Sequence, residues 1–291
     1  MSKFGLRKLG LGILLFGMAV CCYTASPVKA AEPDVPINNT TFPDATFLKY
    51  VGKFDKNGDG ILSESERNAV KEIVVNADSF NSQTKITSLA GIEYFPNLTV
   101  LECERNSLTS LNVTKNTKLQ ELNCDRNQLP GLDVSQNTKL EGLYVYNTQV
   151  TALDLSNMTN LTTLVCFNNN LTSLNISGDT ALKKLSCDRN NLQSLNTSDS
   201  PALTELECRE NGITALDLSQ NTQLQNLYCA NNSLTTLDVS KNLNITSLDC
   251  GSNKLTTLDL RTNTKLEYLR CVYNKLTSLD VSSNTALQSL Y

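Results

Sequence analysis

One spacing constrains this chain more than any other feature of its sequence. From residue 98 onward an aliphatic residue recurs every 21 positions without a slip, at Leu98, Leu119, Leu140, Leu161, Leu182, Leu203, Leu224, Ile245, Leu266 and Leu287. Nine copies are complete, and the tenth stops after five residues at Tyr291. We number the places of each copy from this residue, which gives the consensus LxxLxCxxNxLTxLDVSxNTx. One such unit cannot bury an apolar face alone, so the copies must stack and bury it against each other.

The apolar places predict the kind of stack. Places 4 and 6 lie two residues apart and therefore share one face of a short strand, while apolar residues at places 11, 14 and 16 line the opposite wall. The pattern resembles the leucine-rich repeat, which implies a right-handed superhelix with a parallel β-sheet along one face. A 21-residue unit is too short for a long helix on the return side, where we expect extended or 3₁₀ segments.

Two polar or thiol ladders run through the repeats. Place 9 is asparagine in eight copies, and an inward asparagine can pair backbone groups that the strand-to-loop turn leaves unpaired. Place 6 is cysteine in eight copies, and in-register neighbours point the same way at a spacing too long for a disulfide. We therefore expect reduced, buried thiols that fill the core rather than disulfides or a metal site.

The first 30 residues are typical of a secretory signal peptide. Basic residues precede an apolar stretch from Leu9 to Ala25, and Val28-Lys29-Ala30 offers small residues for cleavage after Ala30. The alternatives are an uncleaved membrane anchor and a lipoprotein processed at Cys21. Cleavage would leave no transmembrane segment and a chain with 21 basic and 29 acidic residues, a net charge of −8. This acidic balance argues against a nucleic-acid partner.

The composition also restricts catalysis. The chain has no histidine, which removes Ser-His-Asp and Cys-His nucleophilic sites and histidine zinc ligands. Exposed carboxylate pairs such as Glu205 and Glu207 remain, but similar pairs recur along the strands and imply no pocket. We therefore predict that the chain is not an enzyme.

Residues 31–85 differ in composition and predict a small helical cap before the repeat domain, residues 86–291. A first helix is expected to begin near Thr41–Pro43 and to bury Phe47, Val51 and Phe54. A second helix is expected from Glu64 to Val75, with an inward set consisting of Ala69, Val70, Ile73 and Val74.

The loop between these helices matches the EF-hand pattern. Its side-chain ligands would be Asp55, Asn57, Asp59 and Glu66, with the Ile61 carbonyl and a water held by Ser63. The alternative is that Ser63 and Glu66 form only a helix-capping box, which leaves the earlier three oxygen-bearing residues without a role. We predict one structural calcium site, because sensor proteins usually pair two such loops.

One repeat departs from the consensus and indicates a binding surface. The third copy, from Leu140, has Val145 at place 6 and Thr148 at place 9, and we expect Asn147 to offset the missing asparagine. Places 3, 5, 7 and 8 face outward, and there Tyr144, Tyr146 and Phe167 predict a contiguous aromatic patch in a charged sheet. Later copies add further outward candidates, namely Tyr228, Tyr268, Arg270 and Tyr273. The alternative is that these aromatic side chains only stabilise the sheet across neighbouring strands.

The signal pattern, helical cap and 21-residue repeats together resemble the internalin-like leucine-rich-repeat proteins that Gram-positive bacteria export. This resemblance implies a secreted or cell-surface protein that binds a protein on a host or bacterial surface through its concave sheet face. Two departures are a 21-residue rather than a 22-residue repeat and the lack of a wall-anchor motif. The alternatives are a glycan ligand and a structural spacer within a larger surface protein.

Overall fold

The structure is a computed structural model that describes residues 33–77 and 85–291. The predicted signal peptide, residues 1–30, lies outside the described residues. Residues from Pro33 to Tyr291 form one compact unit, so the cap and the repeats share a single body.

A parallel sheet of 11 strands runs the length of the repeats. Each strand holds places 3 to 5 of one copy, and each pairs in register with the strand 21 residues later, as Leu122 does with Leu143. In order across the sheet, the strands are β3 (Glu72–Val74), β4 (Val100–Glu102), β5 (Glu121–Asn123), β6 (Gly142–Tyr144), β8 (Thr163–Val165), β10 (Lys184–Ser186), β11 (Glu205–Glu207), β12 (Asn226–Tyr228), β13 (Ser247–Asp249), β14 (Tyr268–Arg270) and β15 (Ser289–Leu290). The predicted parallel leucine-rich-repeat sheet is confirmed.

The return side of the solenoid is built from turns and extended segments. It includes a two-stranded parallel pair, β7 (Ala152–Asp154) with β9 (Ser173–Asn175), and an isolated bridge between Asn112 and Asp133. No helix occurs between residues 95 and 291. The repeat is therefore short because its return path is extended.

One continuous core lies between the two walls. The residues at places 1 and 4 are fully buried in the complete copies, as Leu119 and Leu122 are, and the cysteines of place 6 lie beside them. Burial of this area stabilises the solenoid by about 25 cal/mol per Å² of apolar surface removed from water. Because each copy is covered by its neighbours, the 21-residue spacing and the core are the same feature.

The place-9 asparagines join adjacent turns of the solenoid. Asn127 donates through Nδ2 to the Cys103 and Cys124 carbonyls, each at 3.0 Å, and its Oδ1 accepts from the Leu108 N–H at 2.9 Å. Asn190 repeats the arrangement two turns later. The predicted structural role of this ladder is confirmed, since it pairs backbone groups where the strand ends.

A second asparagine ladder at place 19 lies on the return side, and the sequence interpretation gave it no role. Asn137 is fully buried, and its Nδ2 donates to the Val113 carbonyl at 3.0 Å and to the Asn116 carbonyl at 2.9 Å. Asn221, Asn242, Asn263 and Asn284 make the equivalent pairs of bonds. The third, fourth and fifth copies carry Met158, Asp179 and Ser200 instead.

The first cap helix, α1, spans Ala45–Val51, and a 3₁₀ turn continues it over Gly52–Phe54. Asp44 caps it by accepting from the Thr46 and Phe47 N–H groups. Phe47 and Val51 are fully buried, as predicted. Phe54 is only half-buried, because its ring packs edge-on at the surface against Tyr50 and Phe95.

The predicted second helix is too long. Helix α2 spans only Glu64–Ala69, and β3 follows it as the first strand of the main sheet. Val70 is β-extended and the chain around Ile73 is rich in β-branched residues, which favour a strand once Ile73 can pair with Leu101. Ala69 is consequently exposed rather than inward, and Val74 is half-buried, whereas Val70 and Ile73 are buried as expected.

Candidate binding face and metal loop

The side chains at place 7 form one row across the sheet, just beyond the strands. Backbone bonds continue the parallel register there, as from the Asn147 N–H to the Phe167 carbonyl at 3.1 Å. Tyr146 and Phe167 are neighbours in this row, and their rings stack at a centroid distance of 4.4 Å with an interplanar angle of 16°. Because this separation is close to the spacing of adjacent strands, the rings stack along the solenoid axis.

Asp125 lies on the other side of Tyr146 in the same row. It is only 1% exposed, and its Oδ1 atom has no hydrogen-bond partner among the described residues. Burial raises the pKa of Asp125, although its hydrogen bond with the Tyr146 hydroxyl opposes that change. Burial and the same hydrogen bond raise the pKa of the Tyr146 hydroxyl. Arg126 approaches the Tyr146 ring at 5.9 Å and the Asp125 carboxylate at 3.9 Å, near the outer limit of both interactions.

The predicted contiguous patch of three aromatic residues is wrong in one member. Tyr144 lies at place 5, and a Cβ atom added to Gly142 would meet its ring at 3.2 Å. The Tyr144 ring therefore covers Gly142, on the side of the strand away from place 7. Among the described residues no ring contact joins Tyr144 to the Tyr146–Phe167 pair. The absence of a side chain at Gly142 decides this direction, because the ring fills the space that other copies give to a place-3 side chain.

The third copy keeps its core and partly loses its ladder. Val145 is fully buried in the position that other copies give to cysteine. Thr148 donates through its hydroxyl to the Val145 carbonyl at 3.2 Å and also lies 2.7 Å from Asn169 Oδ1. The expected compensation by Asn147 is wrong, because Asn147 has a left-handed φ of 51° and its side chain pairs with Asn168 at the surface.

The later outward candidates are dispersed. Tyr228 carries the Arg209 guanidinium 4.7 Å from its ring centroid, and Tyr268 lies 5.8 Å from Tyr291. Arg270 pairs with Asp249 at 3.3 Å, and Tyr273 is 79% exposed. These residues lie on the predicted face but do not form one cluster with the Tyr146–Phe167 pair.

Place 8 adopts left-handed backbone in nine successive copies. The residues concerned are Arg105, Arg126, Asn147, Asn168, Arg189, Glu210, Asn231, Ser252 and Tyr273, with φ values from 50° to 60°. This turn directs the chain from the strand into the return segment and costs about 1 kcal/mol where the residue is not glycine. The solenoid tolerates the cost because the asparagine at place 9 fixes the turn.

Charge differs sharply along the face. In the middle copies carboxylates and basic groups pair, as Lys184 with Glu205 at 2.8 Å and Arg209 with Asp188 at 2.9 Å. At the cap end Glu72, Glu102 and Glu121 make no ion pair with any described residue. Burial, together with Glu104, Glu121 and Glu72, raises the pKa of Glu102.

The candidate metal loop closes on its own backbone. Asp55 accepts from the Gly58 N–H at 2.7 Å and the Gly60 N–H at 2.9 Å, and both glycines have left-handed φ. Glu66 reaches back to accept from the Lys56 N–H at 2.7 Å and from the Ser63 N–H at 2.9 Å. These hydrogen bonds, the Lys56 N–H first, lower the pKa of Glu66 to about 2.

The arrangement fits the oxygen chemistry of a calcium loop without displaying a formed site. The Asn57 amide donates to Asp59 at 2.8 Å, so these two side chains already face each other across the loop. The loop strand β2 (Ile61–Leu62) pairs with β1 (Val35–Pro36), which takes the place of a second loop. The Ser63–Glu66 capping box is also present. In residues 33–77 and 85–291 no three acidic or cysteine side chains are gathered closely enough to hold a metal ion.

The cysteine ladder lies in the core. Seven of its eight thiols are buried and Cys271 is half-buried, and none is paired in the structure. Burial raises the pKa of Cys166 and Cys208 to about 12. A thiol with such a pKa carries almost no thiolate at neutral pH, so these residues are packing groups.

Comparisons with known proteins support the fold. No protein-family model matches the chain, and no curated protein matches it by sequence. Among solved structures, the functional domain of InlJ from Listeria monocytogenes, which includes a cysteine ladder, is 34% identical with a TM-score of 0.72. The match covers 89% of this chain but only 61% of that one.

Two further matches show the fold alone. The internalin InlF from Listeria monocytogenes is 23% identical, with a TM-score of 0.66 and coverage of 89% of this chain and 84% of that one. A chain of the Drosophila Toll–Spatzle complex is 20% identical, with a TM-score of 0.59 and coverage of 72% and 31%. The chain therefore has an internalin-like leucine-rich-repeat fold, and these matches are repeat proteins of interaction type. No helix among the described residues is long and apolar enough to cross a membrane.

Proposed function

We propose that this chain is an exported surface protein of the bacterial envelope that binds a protein partner through its sheet face. The observation that carries the proposal is the Tyr146–Phe167 stack, which lies half-buried in an otherwise polar, unobstructed face. Aromatic side chains held rigidly in this way lose little conformational freedom on binding, and interfaces favour them. The signal-peptide pattern of residues 1–30 supports export, and the likeness to InlJ supports a surface role.

The geometry favours a protein over a glycan. Sugar rings bind to the flat faces of aromatic side chains, whereas Tyr146 and Phe167 turn those faces toward each other and present their edges outward. Edges suit the aliphatic and backbone groups of a protein. The alternative of a glycan ligand would instead have to use dispersed rings such as Tyr228 and Tyr268.

Replacing both Tyr146 and Phe167 by Ser is expected to weaken binding at least tenfold, because about 2 kcal/mol or more is lost when a central aromatic pair is removed. The measurement is saturation binding of the fluorescently labelled chain to cultured epithelial cells and to Gram-positive cells. Leu243→Ser is the matched control, since Leu243 is 52% exposed but lies off the sheet. Circular dichroism checks that each variant folds.

Three outcomes would contradict this proposal. The wild-type chain may show no saturable binding to either kind of cell, or the double variant may bind as well as Leu243→Ser. Binding that survives protease treatment of the cells but is lost after periodate oxidation would replace the protein partner by a glycan.

We also propose that the loop from Asp55 to Glu66 binds one calcium ion as a structural clip. The side-chain oxygens of Asp55, Asn57, Asp59 and Glu66 would hold it, with the Ile61 carbonyl and a water on Ser63. The low pKa of Glu66 keeps that carboxylate ionised and available at any physiological pH. The ion would fasten α1 to α2, and through α2 it would fix the start of β3.

Calcium at about 100 times its dissociation constant is expected to raise the melting temperature by about 5 °C, because binding adds about 2.7 kcal/mol to the stability of the folded chain. The measurement is differential scanning calorimetry in excess calcium and in EDTA. Glu66→Gln should abolish the shift, while the neighbouring variant Glu64→Gln should retain it. Equal melting temperatures of the wild-type chain in calcium and in EDTA would refute the clip.

A further inference from the structure

We infer that the partner of the proposed surface protein presents a lysine or arginine side chain to the cap end of the sheet. This inference rests on the proposed function and names the chemistry of its partner. The surface concerned is called the acidic–aromatic face and consists of Glu102, Glu121, Asp125, Tyr146 and Phe167. These residues lie on three adjacent strands and the turn that follows, in continuous parallel register from β4 to β8.

The acidic–aromatic face carries negative charge that the molecule does not neutralise. Glu102 at place 5 has Glu121, Glu104 and Glu72 around it, and these like charges make its ionised form less stable. Five carboxylates at this end are accompanied by only two basic residues at place 8, Arg105 and Arg126. The middle of the same sheet pairs its charges within ion-pair distance, so the imbalance at the cap end is local.

Asp125 is an independent indication of a cationic ligand. Its carboxylate is almost completely buried between Glu104 and Tyr146 in the place-7 row, and its Oδ1 has no hydrogen-bond partner in the described part of the chain. An unpaired buried carboxylate oxygen costs about 1–3 kcal/mol. Arg126 lies too far away, at 3.9 Å, to recover that cost fully. A second cation brought by a partner would stabilise Asp125 more than the free protein does.

The aromatic stack supplies the apolar half of the site. Lysine and arginine combine a long aliphatic stem with a charged head, and the stem packs on apolar surface while the head remains near polar groups. The outward edges of Tyr146 and Phe167 are apolar and adjoin the carboxylates along the row. A basic side chain crossing the stack toward Glu102 and Glu121 satisfies both halves. An anionic segment would meet like charge at the same place, which costs affinity.

The test compares neutralisation of two equal sets of carboxylates. Glu102→Gln with Glu121→Gln removes two charges from the acidic–aromatic face. The control, Asp238→Asn with Asp280→Asn, removes two charges from exposed aspartates on the return side. Both double variants have the same net charge, so a general attraction between an acidic protein and a basic peptide changes equally in both.

The probes are dye-labelled peptides of eight lysines and of eight glutamates, titrated by fluorescence anisotropy at 50 and 150 mM salt. The lysine peptide is expected to bind the wild-type chain and the control within twofold of each other, and the acidic–aromatic variant at least tenfold more weakly. Tyr146→Ser with Phe167→Ser is expected to weaken binding without changing its salt dependence, because it removes apolar contact rather than charge.

The inference is overturned if the two neutralised variants bind alike, if the glutamate peptide binds as well as the lysine peptide, or if neither peptide binds. The cell-binding experiment keeps the two proposals distinguishable. If cell binding depends on Tyr146 and Phe167 but is unchanged by Glu102→Gln with Glu121→Gln, the surface-binding function stands and the basic partner does not.

Discussion

Replacement of Asn190 by Ala is expected to lower the free energy of unfolding by about 2–4 kcal/mol. The side chain is buried, and its Oδ1 is the acceptor for the Leu171 N–H at 3.0 Å. Its Nδ2 donates to the Cys166 carbonyl at 3.1 Å and the Cys187 carbonyl at 3.0 Å. Loss of the amide leaves the Leu171 N–H without that partner inside the core, and a buried unpaired group costs about 1–3 kcal/mol. The cavity adds to this cost.

The loss should not be larger, because each carbonyl of place 6 accepts from two asparagines. The Cys166 carbonyl keeps its bond from Asn169, and the Cys187 carbonyl keeps its bond from Asn211. Urea denaturation followed by circular dichroism measures the change. Asn191→Ala is the matched control, since the neighbouring Asn191 is exposed and the same atoms are removed. Midpoints for the two variants within about 0.5 kcal/mol of each other would show that the ladder does not support the fold in this way.

Asp179→Asn is expected to stabilise the protein by about 2 kcal/mol at pH 8. Asp179 replaces an asparagine of the second ladder, and it is fully buried. Its Oδ1 accepts from the Met158 N–H at 2.9 Å, while its Oδ2 has no partner among the described residues. By equivalence with Asn137, the side chain at this place faces the carbonyls of Leu155 and Met158. An amide nitrogen can donate to these carbonyls, whereas a carboxylate oxygen repels them.

The same substitution should change the dependence of stability on pH. Burial, with a smaller contribution from Asp154, raises the pKa of Asp179 to about 7, whereas the Met158 N–H lowers it. The folded state therefore binds more protons than the unfolded state between about pH 4 and pH 7, so the Asp179 contribution to stability falls as pH rises through that window. The full linkage value of about 4 kcal/mol is halved here to allow for relaxation around the charge.

Thermal and urea denaturation at pH 4.5, 6 and 8 test this prediction. Asp238→Asn removes one charge from the return side and serves as the control. The Ser240 N–H lowers the pKa of Asp238, so its contribution has the opposite sign and is lost as pH falls through the folded pKa. If Asp179→Asn and the wild-type chain show the same pH profile, Asp179 does not titrate in the folded protein within this range.

The cap shows where local sequence patterns are insufficient. The periodicity from Glu64 to Val75 suits a helix, yet the chain leaves the helix at Val70 because β3 can pair with β4 and add a rung to the sheet. The pairing residue Leu101 lies 28 positions after Ile73, so no local pattern contains this information. The residues of the calcium loop are contiguous, and for that reason the sequence alone could propose them together.

The binding face shows the same limit for side chains. Tyr146 and Phe167 are 21 residues apart, and the repeat spacing alone makes them neighbours on adjacent strands. The direction of Tyr144 could not be predicted from that spacing, because it depends on the space above Gly142. The burial of Asp125 likewise depends on the ring and guanidinium that close over it.

The sequence by itself determined the parallel sheet, its register, the buried cysteine row and the role of the place-9 asparagines, because identical units 21 residues apart can bury their leucines only against each other. The tertiary structure alone decided where the sheet begins, which aromatic rings meet, and which carboxylates are left unpaired. These depend on contacts between different copies, where a glycine, a tyrosine or an aspartate departs from the repeat and its neighbours determine the consequence.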